Sequence, residues 1–362
     1  MTTETGQGLF RVGVTRDFLQ PDGTLGFGDI GLAMLDQAPG VEWEFLAERS
    51  PELRPEQVAG FDALAVLGSR ISGETLSGAE RLAVIARFGV GYDSVDVAAC
   101  TERGVLLTIT PDGTRRPMAT VNLTFLLALS HRLLEQDRVA RAGDWSRKLE
   151  VMGTGLVGKT LGVVGFGNIA REFFTLAKPL GMRHVTSDPY GDPALAVALD
   201  VELIGLEELL RRSDFVVVSC ALTPETHHLL NEERLTLLKP TAYLISTARG
   251  PIIDQAALTT ALRERRIAGA GLDVYEQEPP DPDDPLLKLD NVIVTPHALC
   301  WTDEWAMLTG RSAIGSILEV AAGRVPEHLV NREAITSDMV QTKLRRYRER
   351  SVESASAEAA KR

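Results

Sequence analysis

Cysteine and positive charge are both scarce in this chain of 362 residues. Its only cysteines are Cys100, Cys220 and Cys300, which are far apart and form no C-x-x-C pair. This spacing offers neither a disulfide framework nor a metal site, and it fits reduced thiols in a cytosolic protein. The 50 acidic residues outnumber the 38 basic ones and give a formal net charge of −12. We therefore expect binding neither to nucleic acid nor to an anionic membrane.

Long apolar segments are also missing. No apolar run reaches about 18 residues, the length of a membrane-spanning helix, and the N-terminus has no basic segment followed by an apolar one. The predicted location is therefore the cytoplasm. The hydrophobic content of 44% is typical of a globular protein, and the chain is long enough for two domains with separate cores.

Short β-branched segments alternate with helical ones, a pattern that predicts parallel βαβ units. Five strands are predicted in the first third of the chain, at residues 11–15, 41–46, 63–67, 83–87 and 106–109. Six more are predicted at residues 161–164, 184–187, 215–219, 243–246, 270–274 and 292–295. An amphipathic stretch over 118–142 separates the two series, and a helix over 302–322 follows the second.

A glycine turn joins the first strand of the second series to a helix. Gly165 lets the chain turn sharply, and Gly167 has no side chain to block a phosphate. Asn168 and Ile169 complete the turn motif, and residues 171–178 are compatible with a helix. The N-terminus of this helix would present unpaired N–H groups and a partial positive charge to a diphosphate. Asp188 ends the next strand about twenty residues on, where a ribose-binding carboxylate is expected. Together these residues predict a dinucleotide site.

These patterns predict an α/β protein of two doubly wound parallel-sheet domains, with a Rossmann domain inserted into a flavodoxin-like substrate domain. Residues 1–112 would form the first part of the substrate domain, and the helix returning over 300–335 would complete it. Residues 113–299 would form the dinucleotide domain, including a linker helix over 118–142. The tail, 336–362, ends in a run rich in Ser, Ala and Glu and is expected to fray.

Three polar residues follow strands of the second series, at the sheet edge where ligands bind in open α/β sheets. Arg249 presents a planar fork that can hold a carboxylate with two hydrogen bonds. His297 is a residue type suited to exchanging a proton near neutral pH. A glutamate such as Glu278, close to the imidazole, would fix its tautomer and favour its charged form. The three together predict a site for acid–base chemistry on a carboxylic acid.

At these residues the sequence resembles the D-isomer-specific 2-hydroxyacid dehydrogenase family, over roughly residues 60–325. The resemblance rests on six ordered motifs: GVGYDSVD (89–96), GKTLGVVGFGNIA (158–170), ALTPETHH (221–228), STARGPIID (246–254), GLDVYEQEP (271–279) and TPH (295–297). It implies an NAD-dependent oxidoreductase that transfers hydride between the cofactor and a D-2-hydroxy acid or 2-oxo acid. It also implies a homodimer formed through the region of residues 118–142.

The resemblance gives the three polar residues separate roles. Arg249 would anchor the substrate carboxylate, His297 would be the acid/base, and Glu278 would pair with the histidine. Glu278 matches the family's acid because it directly precedes proline, whereas Glu276 does not. In the reductive direction, protonated His297 would give its proton to the carbonyl oxygen, while closure of the two domains would exclude water.

The resemblance also assigns binding residues. The backbone N–H groups of Val90 and Gly91 would hold the substrate carboxylate. Asp188 would bind the ribose and favour NAD over NADP. Positions near the nicotinamide would be Thr247, Ala248 and Asp273.

The chain departs from the family after His297, where it places Trp301 and Trp305 instead of small residues. Trp301 is predicted to form a wall of the substrate pocket; the alternative is that Trp301 or Trp305 packs the returning helix. A tryptophan near this position is also a feature of the C-terminal binding proteins, NAD-sensing corepressors with the same fold. A binding scaffold is therefore the alternative to an enzyme.

Arginines form a second departure. Arg115 and Arg116 precede the helical stretch, and Arg70 follows a predicted strand. If they bind an anion, a phosphorylated acid such as 3-phosphoglycerate becomes an alternative substrate. The competing prediction is that they are solvated near a helix start. The histidines and cysteines have no spacing that predicts a metal ion.

Overall fold

A computed structural model of the protein describes residues 8–359, with side chains through residue 351. The chain divides into two compact units. One unit is made of two stretches, Met1–Thr114 and Trp301–Arg362, and the other is the continuous stretch Arg115–Cys300. We call them the split unit and the continuous unit.

Five parallel strands form the sheet of the split unit: β1 (Phe10–Val14), β2 (Val41–Phe45), β3 (Ala63–Val66), β4 (Val84–Arg87) and β5 (Leu106–Thr108). Their order, β2-β1-β3-β4-β5, is that of the flavodoxin-like fold. The connections carry helices α1 (Leu32–Asp36), α2 (Pro55–Val58) and α3 (Val97–Glu102). The central strand β3 is wholly buried, as expected for a parallel sheet covered on both faces.

Seven parallel strands form the sheet of the continuous unit: β6 (Thr160–Val164), β7 (Arg183–Ser187), β8 (Glu202–Leu203), β9 (Phe215–Val218), β10 (Tyr243–Ser246), β11 (Gly269–Leu272) and β12 (Val292–Val294). Their order, β12-β11-β10-β9-β6-β7-β8, is the Rossmann order with one further strand. The predicted fold class is thus confirmed. The sequence predicted six of these strands to within two residues and missed β8, which is too short to show an apolar pattern.

The stretch over 118–142 is two helices instead of the single predicted one: α4 (Pro111–Ser130) and α5 (Leu133–Arg141). The break lies at Arg132, whose backbone is left-handed with φ of 48° and cannot continue a right-handed helix. The other helices of the continuous unit are α6 (Asn168–Ala177), α7 (Pro193–Ala198), α8 (Leu206–Arg212), α9 (Glu232–Leu235) and α10 (Gln255–Arg263).

Two helices follow the continuous unit, α11 (Asp303–Ala321) and α12 (Asp338–Ala359). The second occupies most of the tail that was expected to fray. Val340, Leu344 and Tyr347 lie on one face of α12 and are buried. The Tyr347 hydroxyl donates to the fully buried carboxylate of Asp62 at 2.9 Å. The tail is therefore a docked helix through its first turns, and residues 360–362 lie outside the described residues.

Candidate active site

Arg249, Glu278 and His297 follow β10, β11 and β12, which are neighbours in one parallel sheet. Their carboxyl ends lie at the same edge, so the three residues are brought to one place. His297 Nδ1 lies 2.7 Å from Glu278 Oε2, within hydrogen-bond distance. Because Nδ1 is bound by the carboxylate, Nε2 is the ring nitrogen that can exchange a proton with a substrate.

Glu278 is held in its ionised form. Burial by itself would raise its pKa, but the hydrogen bond and charge of His297 lower it, as do the backbone N–H of Tyr275 and the charge of Arg249. The net effect lowers the pKa of Glu278 from its ordinary value. The backbone N–H of Tyr275 donates to Oε1 at 2.9 Å, which leaves Oε2 for the histidine. The pair is thus a carboxylate fixed against an imidazole.

Asp273 positions the loop that carries His297. His297 has a left-handed backbone with φ of 54°, a conformation that costs a residue with a side chain about 1–2 kcal/mol. Oδ1 of the buried Asp273 accepts from the Thr295 hydroxyl at 2.6 Å and from the backbone N–H of Ala298 at 3.2 Å. The sequence predicted Asp273 only as a residue near the nicotinamide, and did not reveal this contact.

The segment that carries Arg249 is packed against the segment that carries Glu278. Gly250 allows this approach, because a Cβ at this position would overlap the carbonyl group of Tyr275. Arg249 Nη1 donates to the carbonyl oxygen of Ala248 at 2.7 Å. The Thr247 hydroxyl donates to Oδ1 of Asn122 in α4 at 2.8 Å. Asn122 is fully buried and was not predicted, since a lone polar residue in a helix carries no signal of its partner.

The glycine turn between β6 and α6 fits a dinucleotide diphosphate. Gly165 has φ of 101°, and a Cβ there would lie 2.8 Å from the backbone nitrogen of Cys220. Gly167 precedes the first residue of α6, and among the described residues, apart from Gly167 and its two chain neighbours, no atom lies within 4 Å of where its Cβ would be. Asn168 and Ile169 form the first turn of α6, whose N–H groups are available to an anion.

Asp188 follows β7 and lies beside this turn. Its Oδ2 accepts from the backbone N–H of Phe166 at 2.7 Å, and Oδ1 accepts from that of Tyr190 at 2.9 Å. The carboxylate is therefore fixed next to the glycine turn, where the ribose of a dinucleotide would lie.

The remaining predicted residues lie in the split unit. Val90 and Gly91 follow Gly89, whose backbone N–H donates to the buried Thr110 hydroxyl at 2.7 Å. The Arg70 side chain is exposed, with Nε 3.8 Å from Glu52 Oε2. Trp301 is 47% exposed and packs edge-on to Phe27 at a centroid distance of 4.8 Å.

Trp305 and the paired arginines have structural contacts. Trp305 is buried in α11, which fits the alternative in which it packs the returning helix. Arg116 Nη1 lies 2.7 Å from Glu172 Oε1 and Arg115 Nε lies 3.8 Å from Glu172 Oε2. These ion pairs give both arginines a partner on α6. Within residues 8–359 there is neither a cluster of potential metal ligands nor a helix long and apolar enough to cross a membrane.

A Rossmann sheet with a glycine turn after its first strand, and with a fixed histidine–carboxylate pair after its last strands, is typical of an NAD-linked dehydrogenase. Comparison with known proteins specifies the family. The model of "D-isomer specific 2-hydroxyacid dehydrogenase, NAD binding domain" matches residues 123–298. A glyoxylate reductase of Thermococcus onnurineus is 41% identical over 317 residues, covering 84% of this chain and 93% of its own.

Two further relatives differ in their named substrates. A D-3-phosphoglycerate dehydrogenase of Methanocaldococcus jannaschii is 38% identical, over 78% of this chain and 54% of its own. The structure of D-lactate dehydrogenase from Aquifex aeolicus, complexed with NAD and lactic acid, has a TM-score of 0.75 and 27% identity, over 86% of this chain and 96% of its own.

This chain belongs to the D-isomer-specific 2-hydroxyacid dehydrogenase family. It is an NAD-dependent oxidoreductase that transfers hydride between the cofactor and a 2-hydroxy acid or 2-oxo acid. The enzyme is thus favoured over the alternative of a binding scaffold.

Proposed function

We propose that the chain reduces small 2-oxo acids, such as glyoxylate, with NADH. The hydrogen bond between His297 Nδ1 and Glu278 Oε2 carries this proposal, because it fixes an acid/base beside the predicted cofactor site. The name of the relative with 41% identity supports glyoxylate as the substrate. In this proposal the continuous unit binds the cofactor, and the split unit is the substrate domain.

Each of the three polar residues has one task in the proposed reaction. The nicotinamide, when bound, supplies a hydride to the carbonyl carbon. His297 donates its Nε2 proton to the carbonyl oxygen, so that one C–H and one O–H bond form and the product is a 2-hydroxy acid. Glu278 stabilises the positive charge of the imidazolium before this transfer. Arg249 holds the substrate carboxylate and orients the carbonyl group.

We also propose which residues bind. Gly165, Gly167, Asn168 and Ile169 would hold the diphosphate, and Asp188 the ribose. Positions close to the nicotinamide would be Thr247, Ala248 and Asp273. For the substrate, Val90, Gly91, Arg70 and Trp301 stay predictions.

The test of this function is the substitution His297→Ala. We expect turnover of glyoxylate and NADH to fall by on the order of 10²–10⁴-fold, the usual contribution of general acid–base catalysis. The dissociation constant for NADH, measured by fluorescence titration, should stay unchanged. His131→Ala is the matched control, because His131 is exposed in the same unit. Wild-type turnover in His297→Ala would contradict the role of His297 as the acid/base.

A phosphorylated acid is the alternative substrate, and the relative named for 3-phosphoglycerate supports testing it. The ion pairs of Arg115 and Arg116 with Glu172 argue against a phosphate site at these arginines. Rates with hydroxypyruvate and with its phosphorylated analogue, each measured with NADH and with NADPH, would distinguish the substrates and test the cofactor preference.

We further propose a cytoplasmic homodimer. The three cysteines, all within the described residues, form no disulfide. Burial raises the pKa of Cys100 to about 12 and that of Cys220 to about 11, so both thiols stay protonated and unreactive at neutral pH.

Large apolar side chains are exposed between residues 133 and 152, which supports an interface between two copies of the chain.

A further inference from the structure

Glu276 lies two residues before Glu278 and takes no part in the proposed reaction. Its carboxylate contacts two other segments of the continuous unit. Oε1 lies 2.7 Å from His228 Nε2, and Oε2 accepts from the backbone N–H of Gln255 at 3.2 Å. The backbone N–H of Glu276 in turn donates to Gln255 Oε1 at 2.9 Å. Glu276 is therefore bound by residues that are distant from it in the sequence.

Both contacted segments belong to the framework around Arg249. Gln255 is the first residue of α10 and comes directly after the loop 249–254. His228 donates its backbone N–H to the carbonyl oxygen of Pro251, in the same loop, at 2.8 Å. A movement of the Arg249 loop would thus move both partners of the Glu276 carboxylate.

The His228 ring is fixed independently of Glu276. Its backbone is left-handed, with φ of 49°, and the ring stacks on that of His227 at a centroid distance of 4.2 Å. The side chains of His228 and Glu276 are only 35% and 38% exposed. The contact between the carboxylate and the imidazole is therefore partly shielded from water.

We propose that Glu276 is a positioning residue that sets the distance between Arg249 and the Glu278–His297 pair. It connects the segment of Glu278 to the loop of Arg249 through directional hydrogen bonds. The packing of Gly250 against Tyr275 brings these segments together, and the hydrogen bonds of Glu276 add directional contacts between them. Proton transfer requires the anchored substrate and the acid/base to stay aligned, and a displacement of about 1 Å can cost about 10²-fold in rate.

This inference rests on the proposed function, and its test starts from the wild-type enzyme with its best 2-oxo acid. We expect Glu276→Ala to lower kcat on the order of 10- to 100-fold. The dissociation constant for NADH should change much less than kcat, because the glycine turn and Asp188 follow β6 and β7, which β9 separates from the strands β10 and β11 that precede these segments. Glu276→Gln should recover part of kcat, since it keeps one acceptor oxygen.

His228→Asn supplies a second, independent variant. Asparagine tolerates the left-handed backbone but cannot reach the Glu276 carboxylate. If Glu276 and His228 act as a unit, kcat of the double variant Glu276→Ala, His228→Asn should be no lower than kcat of the slower single variant. Asp283→Ala is the matched control, because it removes a carboxylate from the same acidic segment where the side chain is 92% exposed. It should leave kcat unchanged.

Two results would overturn the inference. One is a kcat of Glu276→Ala that stays within about twofold of the wild type. The other is an equal loss of kcat and NADH affinity in both Glu276→Ala and His228→Asn, which would indicate general damage to the unit. A wild-type chain that reduces no 2-oxo acid would instead count against the proposed function.

Discussion

Glu278 illustrates how a single residue combines charge and burial. Its carboxylate is only about one-third exposed, yet its pKa is lowered, because the contributions of His297, the Tyr275 N–H and Arg249 together outweigh the cost of burial. An unfolded chain would show the ordinary pKa of about 4.5. The folded state therefore binds the proton of Glu278 more weakly than the unfolded state, so ionised Glu278 stabilises the fold.

This linkage predicts how acid acts on the fold. The stabilisation is fully present above pH about 4.5 and is lost as pH falls through the lower, folded-state pKa. We expect the difference in melting temperature between the wild type and Glu278→Gln to be constant just above pH 5 and to shrink towards pH 3. Thermal denaturation followed by circular dichroism measures it. A difference that stays constant down to pH 3 would contradict the lowered pKa.

Between elements, the turn from β6 to α6 contains two glycines with different physical requirements. Gly165 is required by the fold itself, because its φ of 101° is strained for other residues and Cys220 lies against it. Gly167 has an ordinary φ of −71°, and a Cβ there would contact none of the described residues. The fold itself therefore does not require glycine at position 167, and in the proposed function its missing side chain leaves room for the diphosphate.

The two glycines should respond differently to alanine. Gly167→Ala should keep the wild-type melting temperature but weaken NADH binding by about tenfold or more, since its methyl group would occupy the place of the diphosphate. Gly165→Ala should lower the melting temperature as well. Thermal denaturation and fluorescence titration with NADH separate the two effects. If Gly167→Ala bound NADH as tightly as the wild type, the diphosphate would not bind at this turn.

For the whole molecule, the exposed apolar residues point to assembly. Leu133, Leu134, Trp145, Leu149 and Met152 are all exposed within twenty residues of the continuous unit. Such a concentration of large apolar side chains is unusual for a surface in contact with water and is typical of an interface. The homodimer proposed above would cover them.

Charge placed on this surface should therefore separate the subunits. We expect the wild type to have the mass of a dimer in light scattering, and the double variant Trp145→Glu, Leu149→Glu to have that of a monomer. Val197→Glu is the control, because Val197 is an equally exposed apolar residue in α7 of the same unit. A monomeric wild type at micromolar concentration would refute the dimer.

Much of the fold follows from the sequence because its signals are local. Short β-branched segments that alternate with helical ones predicted eleven of the twelve strands. The glycine turn predicted where β6 meets α6. The positions of Arg249, Glu278 and His297 after three strands predicted one common edge, because parallel strands end together. These inferences need only the periodicity and spacing of residues that are close in the chain.

Contacts between distant residues were decided by the tertiary structure alone. Tyr347 and Asp62 are 285 residues apart, and their hydrogen bond accompanies the docking of a tail that by composition was expected to fray. Glu276 was set aside because it does not precede proline, yet only the folded chain brings it to His228 and Gln255. The sequence determined eleven of the twelve strands and the glycine turn, and it predicted the residues of the reaction. The tertiary structure decided their partners, because a hydrogen bond between remote residues depends on the packing of all the elements between them.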